Sequence, residues 1–213
     1  MPPVSAGLEG LLMPDVYFIR HGESEGNYAQ VLQGSMDYPL TRHGQTQAEA
    51  LGSYFREVQF DAVIASDLMR ASGTAAALAD FQQVDISTDE RLREVHLGVL
   101  EGKAREVIQN EFPDLIGRDL LTAEVEGAET KNDLTARCAW LYHKLTEEWK
   151  EKDQVAVVSH GGFITIFFMY LLAKDNWVSL QRSMRIDNTG VSRIHFRKDR
   201  ASIQYINRIT HLE

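Results

Sequence analysis

A single cysteine, Cys138, occurs in the 213 residues. That excludes an intrachain disulfide framework and any zinc site built on several cysteines. Basic residues are in deficit, with 22 Lys and Arg against 31 Asp and Glu for a formal net charge of -9. Such a balance argues against nucleic acid and membrane as partners, since both require a cationic face. Long apolar runs are missing as well. The most apolar segment, Phe163 to Ala173, spans 11 residues, against roughly 20 for a helix that crosses a bilayer. The stretch Met1 to Pro14 holds Leu8, Leu11, Leu12 and Met13 but is broken by Glu9, Gly10 and three prolines, with no basic residue before Arg20. It lacks the basic start and unbroken apolar run of a secretory signal, so 1–14 is expected to be a tail and the protein cytoplasmic. Neither an internal repeat nor a low-complexity linker divides the rest. Residues 15–213 are therefore read as a single domain, close to the length prior of roughly 150 residues.

Apolar residues make up 44% of the chain and charged residues 25%, enough to bury a core without staples. Val16-Tyr17-Phe18-Ile19, Ala62-Val63-Ile64-Ala65 and Val155-Ala156-Val157-Val158 are continuous apolar runs stopped by polar or glycine-containing segments. Each reads as a strand buried on both faces. Between them lie helical patterns: one opening at Thr41 as N-cap with Ala48, Leu51, Phe55 and Val58, and an alanine-rich one to about Asp80. A third carries the stripe Leu134, Cys138, Leu141, Leu145 and Trp149, and a nearly uniform apolar helix follows Gly161-Gly162. Two alternating stretches from about Val191 to Ile209, around Lys198-Asp199-Arg200, predict a terminal hairpin or neighbouring strands. The fold class that follows is α/β, with a mostly parallel central sheet flanked by helices on two sides.

Ligands of such sheets sit beyond the carboxyl ends of the strands. Those ends carry Arg20-His21-Gly22, Ser66-Asp67 with Arg70 a turn later, and Ser159-His160-Gly161. Two arginines offer forked donors for phosphate or carboxylate oxygens. Two histidines offer a nucleophile, an acid-base group or metal ligands. A neutral imidazole can attack phosphorus, but an alkoxide leaving group also needs a proton from a carboxylic acid, and that role is still missing from this set of arginines and histidines. The tripeptide Arg-His-Gly is a weak signal in itself, because it recurs at Arg42-His43-Gly44 in a helix opening. There Arg42 and His43 are expected to face solvent.

Phe18-Ile19-Arg20-His21-Gly22-Glu23-Ser24, with Asn27 three residues on, resembles the signature of the histidine phosphatase superfamily, the phosphoglycerate-mutase-like proteins. Further matches follow in the family's order: Pro39-Leu40-Thr41, Ser66-Asp67-Leu68 with Arg70 and Thr74, Leu92-Arg93-Glu94 through Glu101-Gly102, Gly127 to Thr130, Val158-Ser159-His160-Gly161-Gly162 and Asn188-Thr189. The resemblance implies a three-layer sandwich of the phosphoglycerate-mutase type. It implies His21 as nucleophile, Arg20, Arg70 and His160 as phosphoryl ligands, and Glu94 as the acid, protonated at the first step through partial burial. Asn27, Ser24 and Gly161 would add substrate contacts, and Glu101 competes with Glu94 for the acid. Neither a metal nor a cofactor is implied. Two departures concern the mouth: Val99-Leu100 where the family often has an aromatic, and Gly127-Ala128-Glu129-Thr130 where Gly-Glu-Ser is commoner.

Only 65 residues separate Glu94 from His160, and 95–130 holds three basic residues, Lys103, Arg105 and Arg118, against eight acidic ones. Mutases of this family carry a longer, basic insertion there. The expected function is thus a metal-independent phosphatase of small, modestly charged phosphorylated metabolites, with phosphoglycerate mutase as the alternative. An inactive phosphopeptide-binding member and a metal site on His21, His160 and Glu94 are the remaining candidates. Tyr28, Val31, Leu32 and Met36 are either an apolar side of the pocket or ordinary loop packing. A homodimer is compatible with the sequence, which specifies no oligomeric state.

Overall fold

The computed structural model describes residues 14–82, 84–181, 184–197 and 200–213. Apart from Pro14, the expected tail lies outside them, as do Lys198 and Asp199 at the expected hairpin turn. Six strands form one sheet: β1 (Asp15–Arg20), β2 (Ala62–Ala65), β3 (Ile86–Thr88), β4 (Gln154–Ser159), β5 (Val191–Arg197) and β6 (Arg200–Arg208). Their order is β3-β2-β4-β1-β5-β6. The first four run parallel, while β5 pairs antiparallel with β1 and with β6.

Side chains alternate across a strand, so each apolar run feeds two cores. Val16 and Phe18 of β1 and Val155 and Val157 of β4 face one cluster, whereas Tyr17, Ile19, Ala156 and Val158 face the other. The first is covered by α5 (Lys131–His143) and α6 (Gly161–Ala173), through Leu134, Cys138, Leu141, Phe163, Phe167 and Phe168. The second is covered by α2 (Arg42–Tyr54) and α3 (Met69–Ala79), through Leu51, Phe55, Ala71, Ala75 and Leu78. This is the expected three-layer α/β sandwich. Thr41 caps α2, its hydroxyl accepting from Gly44 N–H at 2.9 Å. The stripe of α5 continues through a π-helical turn, Lys144–Glu148, which keeps Leu145 buried. Two short helices complete the set used below: α1 (Glu25–Tyr28) after β1 and α4 (Arg105–Glu111) over the sheet end. No helix among the described residues is long and apolar enough to cross a membrane.

Candidate active site

β1, β2 and β4 end side by side, with Ile19 opposite Val158 and Ala65 opposite Val158 in register. The residues after them converge on one cavity of about 510 Å³, within the usual range for a small-molecule site. Arg20, His21, Asn27, Arg70, Glu94 and Gly161 line it.

His21 is buried, and its Nδ1 lies 2.7 Å from the Gly22 carbonyl. A carbonyl only accepts, so Nδ1 carries the proton and Nε2 keeps its lone pair. Arg20 donates from Nη1 to the Ile186 carbonyl at 2.7 Å. Its Nε is buried with no hydrogen-bond partner among the described residues. A buried donor without an acceptor is costly, and an anion's oxygen would relieve it. Arg70 is wholly buried. Its Nη1 and Nη2 donate to the carbonyls of Met36 and Gly34 at 2.7 and 2.8 Å, and its Nε donates to His160 Nδ1 at 3.1 Å. His160 Nε2 then bears the ring's proton and donates to Ser66 Oγ at 2.9 Å. The two histidine rings are 5.0 Å apart between centroids.

Glu94 reaches the cavity beside the start of α6. Ser159 Oγ donates to Leu92 O at 2.7 Å, Arg93 pairs with Asp67, and Arg137 donates to Arg93 O, which together pin the segment that carries it. Its carboxylate accepts from Gly162 N–H at 3.0 Å, Phe163 N–H at 2.9 Å and Val95 N–H at 3.0 Å. Two of those donors belong to the first turn of α6, where an anion is favoured. A Cβ on Gly162 would lie 2.5 Å from Glu94 Oε1, so glycine there makes the seat. The environment is half-buried, as expected, and rich in backbone donors, which the sequence did not reveal.

Burial and the neighbouring cations hold both histidines well below the ordinary imidazole value of about 6.5. Desolvation is the largest cause in each, followed by Arg20 and Arg70 for His21 and by Arg70 and His21 for His160. As pH falls through the ordinary value, the unfolded chain takes up protons that the native rings refuse, so stability falls with pH in that window. Urea unfolding at pH 7.5 and 5.5 is expected to show a loss of about 1 kcal/mol per histidine at the lower pH. His21→Ala should remove its share. A midpoint independent of pH over this range would mean that both rings accept protons in the native state.

Two expected contacts differ. Ser24 is the N-cap of α1, accepting from Asn27 N–H and lying 2.6 Å from Gln33 Oε1, so its hydroxyl is absent from the cavity wall. His160 is fully buried behind Arg70 and is not part of that wall. Both of its ring nitrogens are engaged, so it bears on the cavity only through Arg70 and the face of His21. Glu101, the rival to Glu94, does not line the cavity. Arg42 and His43 are exposed at the start of α2, as expected. Val31 and Leu32 supply apolar wall, whereas Tyr28 and Met36 point away from it and are 80% and 42% exposed.

Sequence reasoning missed Gln33, Arg105 and Arg185 on the wall. Loop paths bring them in, and no periodicity marks them. Asn188 was visible as part of a late motif. Its Nδ2 donates to His21 O and to Asn27 Oδ1, both at 3.1 Å, tying the His21 backbone to α1.

The family model of the histidine phosphatase superfamily (branch 1) matches residues 16–209. A protein of Salmonella choleraesuis (strain SC-B67) named probable phosphoglycerate mutase GpmB is 32% identical over 190 residues, covering 87% of this chain and 86% of the relative. Among solved structures, a mycobacterial glucosyl-3-phosphoglycerate phosphatase complexed with VO3 superposes with a TM-score of 0.78 at 27% identity, over 91% of this chain and 99% of that one. A phosphoserine phosphatase mutant from Entamoeba histolytica in complex with phosphoserine gives 0.75 at 25% identity, over 94% and 100%. The match reaches all six strands and spans every residue of the cavity wall, and on that ground the chain belongs to the histidine phosphatase superfamily, branch 1.

Proposed function

We propose that this protein is a metal-independent phosphatase that hydrolyses small phosphomonoesters through a phosphohistidine on His21. The observation that carries this is the His21 tautomer: Nδ1–H is committed to Gly22 O, which leaves a neutral Nε2 as nucleophile beside two arginines. Nε2 attacks phosphorus in line with the ester oxygen, forming the P–N bond as the P–O bond breaks. Arg20 and Arg70 stabilise the charge on the equatorial oxygens. His160 acts as a positioning residue by accepting from Arg70 Nε. Glu94 gives its proton to the leaving alkoxide, then takes one from the water that attacks the phosphohistidine. Phosphate leaves, and His21 is neutral again. Three backbone donors hold the Glu94 carboxyl in place for both transfers.

Geometry also bears on the metal alternative. His160 has no free ring lone pair to offer a cation. One observation favours the mutase reading: Arg105, from the acid-rich 95–130 segment, is an exposed guanidinium on the cavity wall, joined there by Arg185. A cationic rim suits a substrate with a second anionic group.

The test is a trapping assay in excess chelator, with phosphoserine, phosphoglycerate and an aryl phosphate as substrates. Acid-labile, alkali-stable phosphate on the protein, with orthophosphate released at an unchanged rate, is the expected result. Activity lost to chelator would favour the metal site. Tight phosphopeptide binding without turnover would favour a binding module. Transfer between phosphoglycerate positions outpacing phosphate release would make the protein a mutase.

A further inference from the structure

Glu101 takes no part in the chemistry above, yet it is the most heavily bonded carboxylate near the cavity. Its side chain is 10% exposed. Oε1 accepts from Ser35 N–H at 2.7 Å and Leu97 N–H at 3.0 Å, and lies 2.8 Å from His96 Nδ1 and 3.2 Å from Ser35 Oγ. Of the two backbone N–H groups it grips, that of Ser35 belongs to the loop 34–36. At Gly34 the chain is left-handed, with φ +50, and a Cβ there would sit 1.9 Å from Glu101 Oε1. The same loop presents two carbonyls, Gly34 O and Met36 O, to the terminal nitrogens of Arg70.

We propose that Glu101 is a positioning residue for phosphoryl binding: it pins loop 34–36, whose carbonyls aim the Arg70 guanidinium. This rests on the reading that Arg70 holds the phosphoryl group. A long, buried guanidinium needs fixed acceptors to keep its remaining N–H groups on a tetrahedral anion, and misplacement by about 1 Å is costly. Glu101 also acts on Arg70 through its charge, and the two roles predict opposite results. Were Glu101 only a nearby negative charge, neutralising it would tighten anion binding. As a positioning residue, its loss weakens it.

The experiment is calorimetric titration of orthophosphate into the wild-type protein, Glu101→Gln, Arg70→Ala and the double variant, with steady-state kinetics on alkyl and aryl phosphates. Glu101→Gln is expected to weaken orthophosphate about tenfold, the scale of one charge-assisted hydrogen bond. KM should rise with kcat changed far less, equally for alkyl and aryl esters. In the Arg70→Ala background the same substitution should add nothing. Ser35→Ala, a milder change to the same contact, should weaken binding by about twofold to threefold, which keeps the test available should Glu101→Gln fail to fold. Unchanged or tighter orthophosphate binding, or the same loss with and without Arg70, would overturn the proposal. A selective loss on alkyl esters would make Glu101 an acid instead. If Arg70→Ala alone leaves orthophosphate affinity intact, the reading of Arg70 falls and takes this one with it.

Discussion

Replacing His21 by alanine is expected to lower turnover of every phosphomonoester by about 10⁴-fold or more, the scale seen when a covalent nucleophile is removed. No other imidazole nitrogen on the cavity wall can take over. His160 has Nδ1 and Nε2 engaged with Arg70 and Ser66. The anion site should survive the change, because Arg20 and Arg70 are held by carbonyls of Ile186, Met36 and Gly34 and not by His21. Orthophosphate should therefore bind the variant within about tenfold of the wild type. The fold should survive too. The substitution removes one hydrogen bond, to Gly22 O, worth about 1 kcal/mol net. His43→Ala is the matched control from the second Arg-His-Gly. Its ring is exposed and lies 3.2 Å from the Gln47 side-chain nitrogen, so activity should change by less than about twofold. An inactive His43→Ala beside an active His21→Ala would mean that the wrong tripeptide has been assigned to the site.

The contrast between those two tripeptides explains how much was legible beforehand. β1, β2 and β4 are continuous apolar runs because both faces are covered, and that pattern survives in one dimension. A motif that follows such a run is placed at the ligand-binding edge by topology alone, which is how Arg20, His21 and His160 were found. β3 escaped notice because Ile86-Ser87-Thr88 is a three-residue edge strand with two exposed members. α4 escaped for a similar reason, having Ile108 as its buried residue. Side-chain destinations were harder still. That Ser24 caps α1 and that His160 packs behind Arg70 depend on hydrogen-bond partners distant in sequence. The net charge of -9 also misled at the mouth. It averages over the whole chain, and even in the acid-rich 95–130 the member with a charged side chain on the cavity wall is Arg105.

Glu94→Gln is expected to separate substrates by leaving group. For an alkyl phosphate, kcat/KM should fall by about 10³-fold, within the range that a general acid contributes. For an aryl phosphate, whose phenolate leaves without a proton, it should fall by less than about tenfold. The second half-reaction still needs a base for water, so the aryl ester should give a rapid burst of phenolate, then slow turnover with phosphohistidine accumulating on His21. Structure sets the cost of the change. Glutamine can keep its oxygen toward Phe163 N–H and Val95 N–H, but its NH₂ then faces Gly162 N–H, leaving one donor without an acceptor. That costs about 1–3 kcal/mol of stability, measurable as a lower urea midpoint. Removing the carboxylate's charge also removes a neighbour of both Arg20 and Arg70, so orthophosphate should bind more tightly, the opposite of Glu101→Gln. Equal losses on alkyl and aryl esters, with no burst, would show that Glu94 neither protonates the leaving group nor activates water. A burst with tightened orthophosphate binding would assign both proton transfers to this one carboxylate and leave Glu101 to hold the loop that steers Arg70.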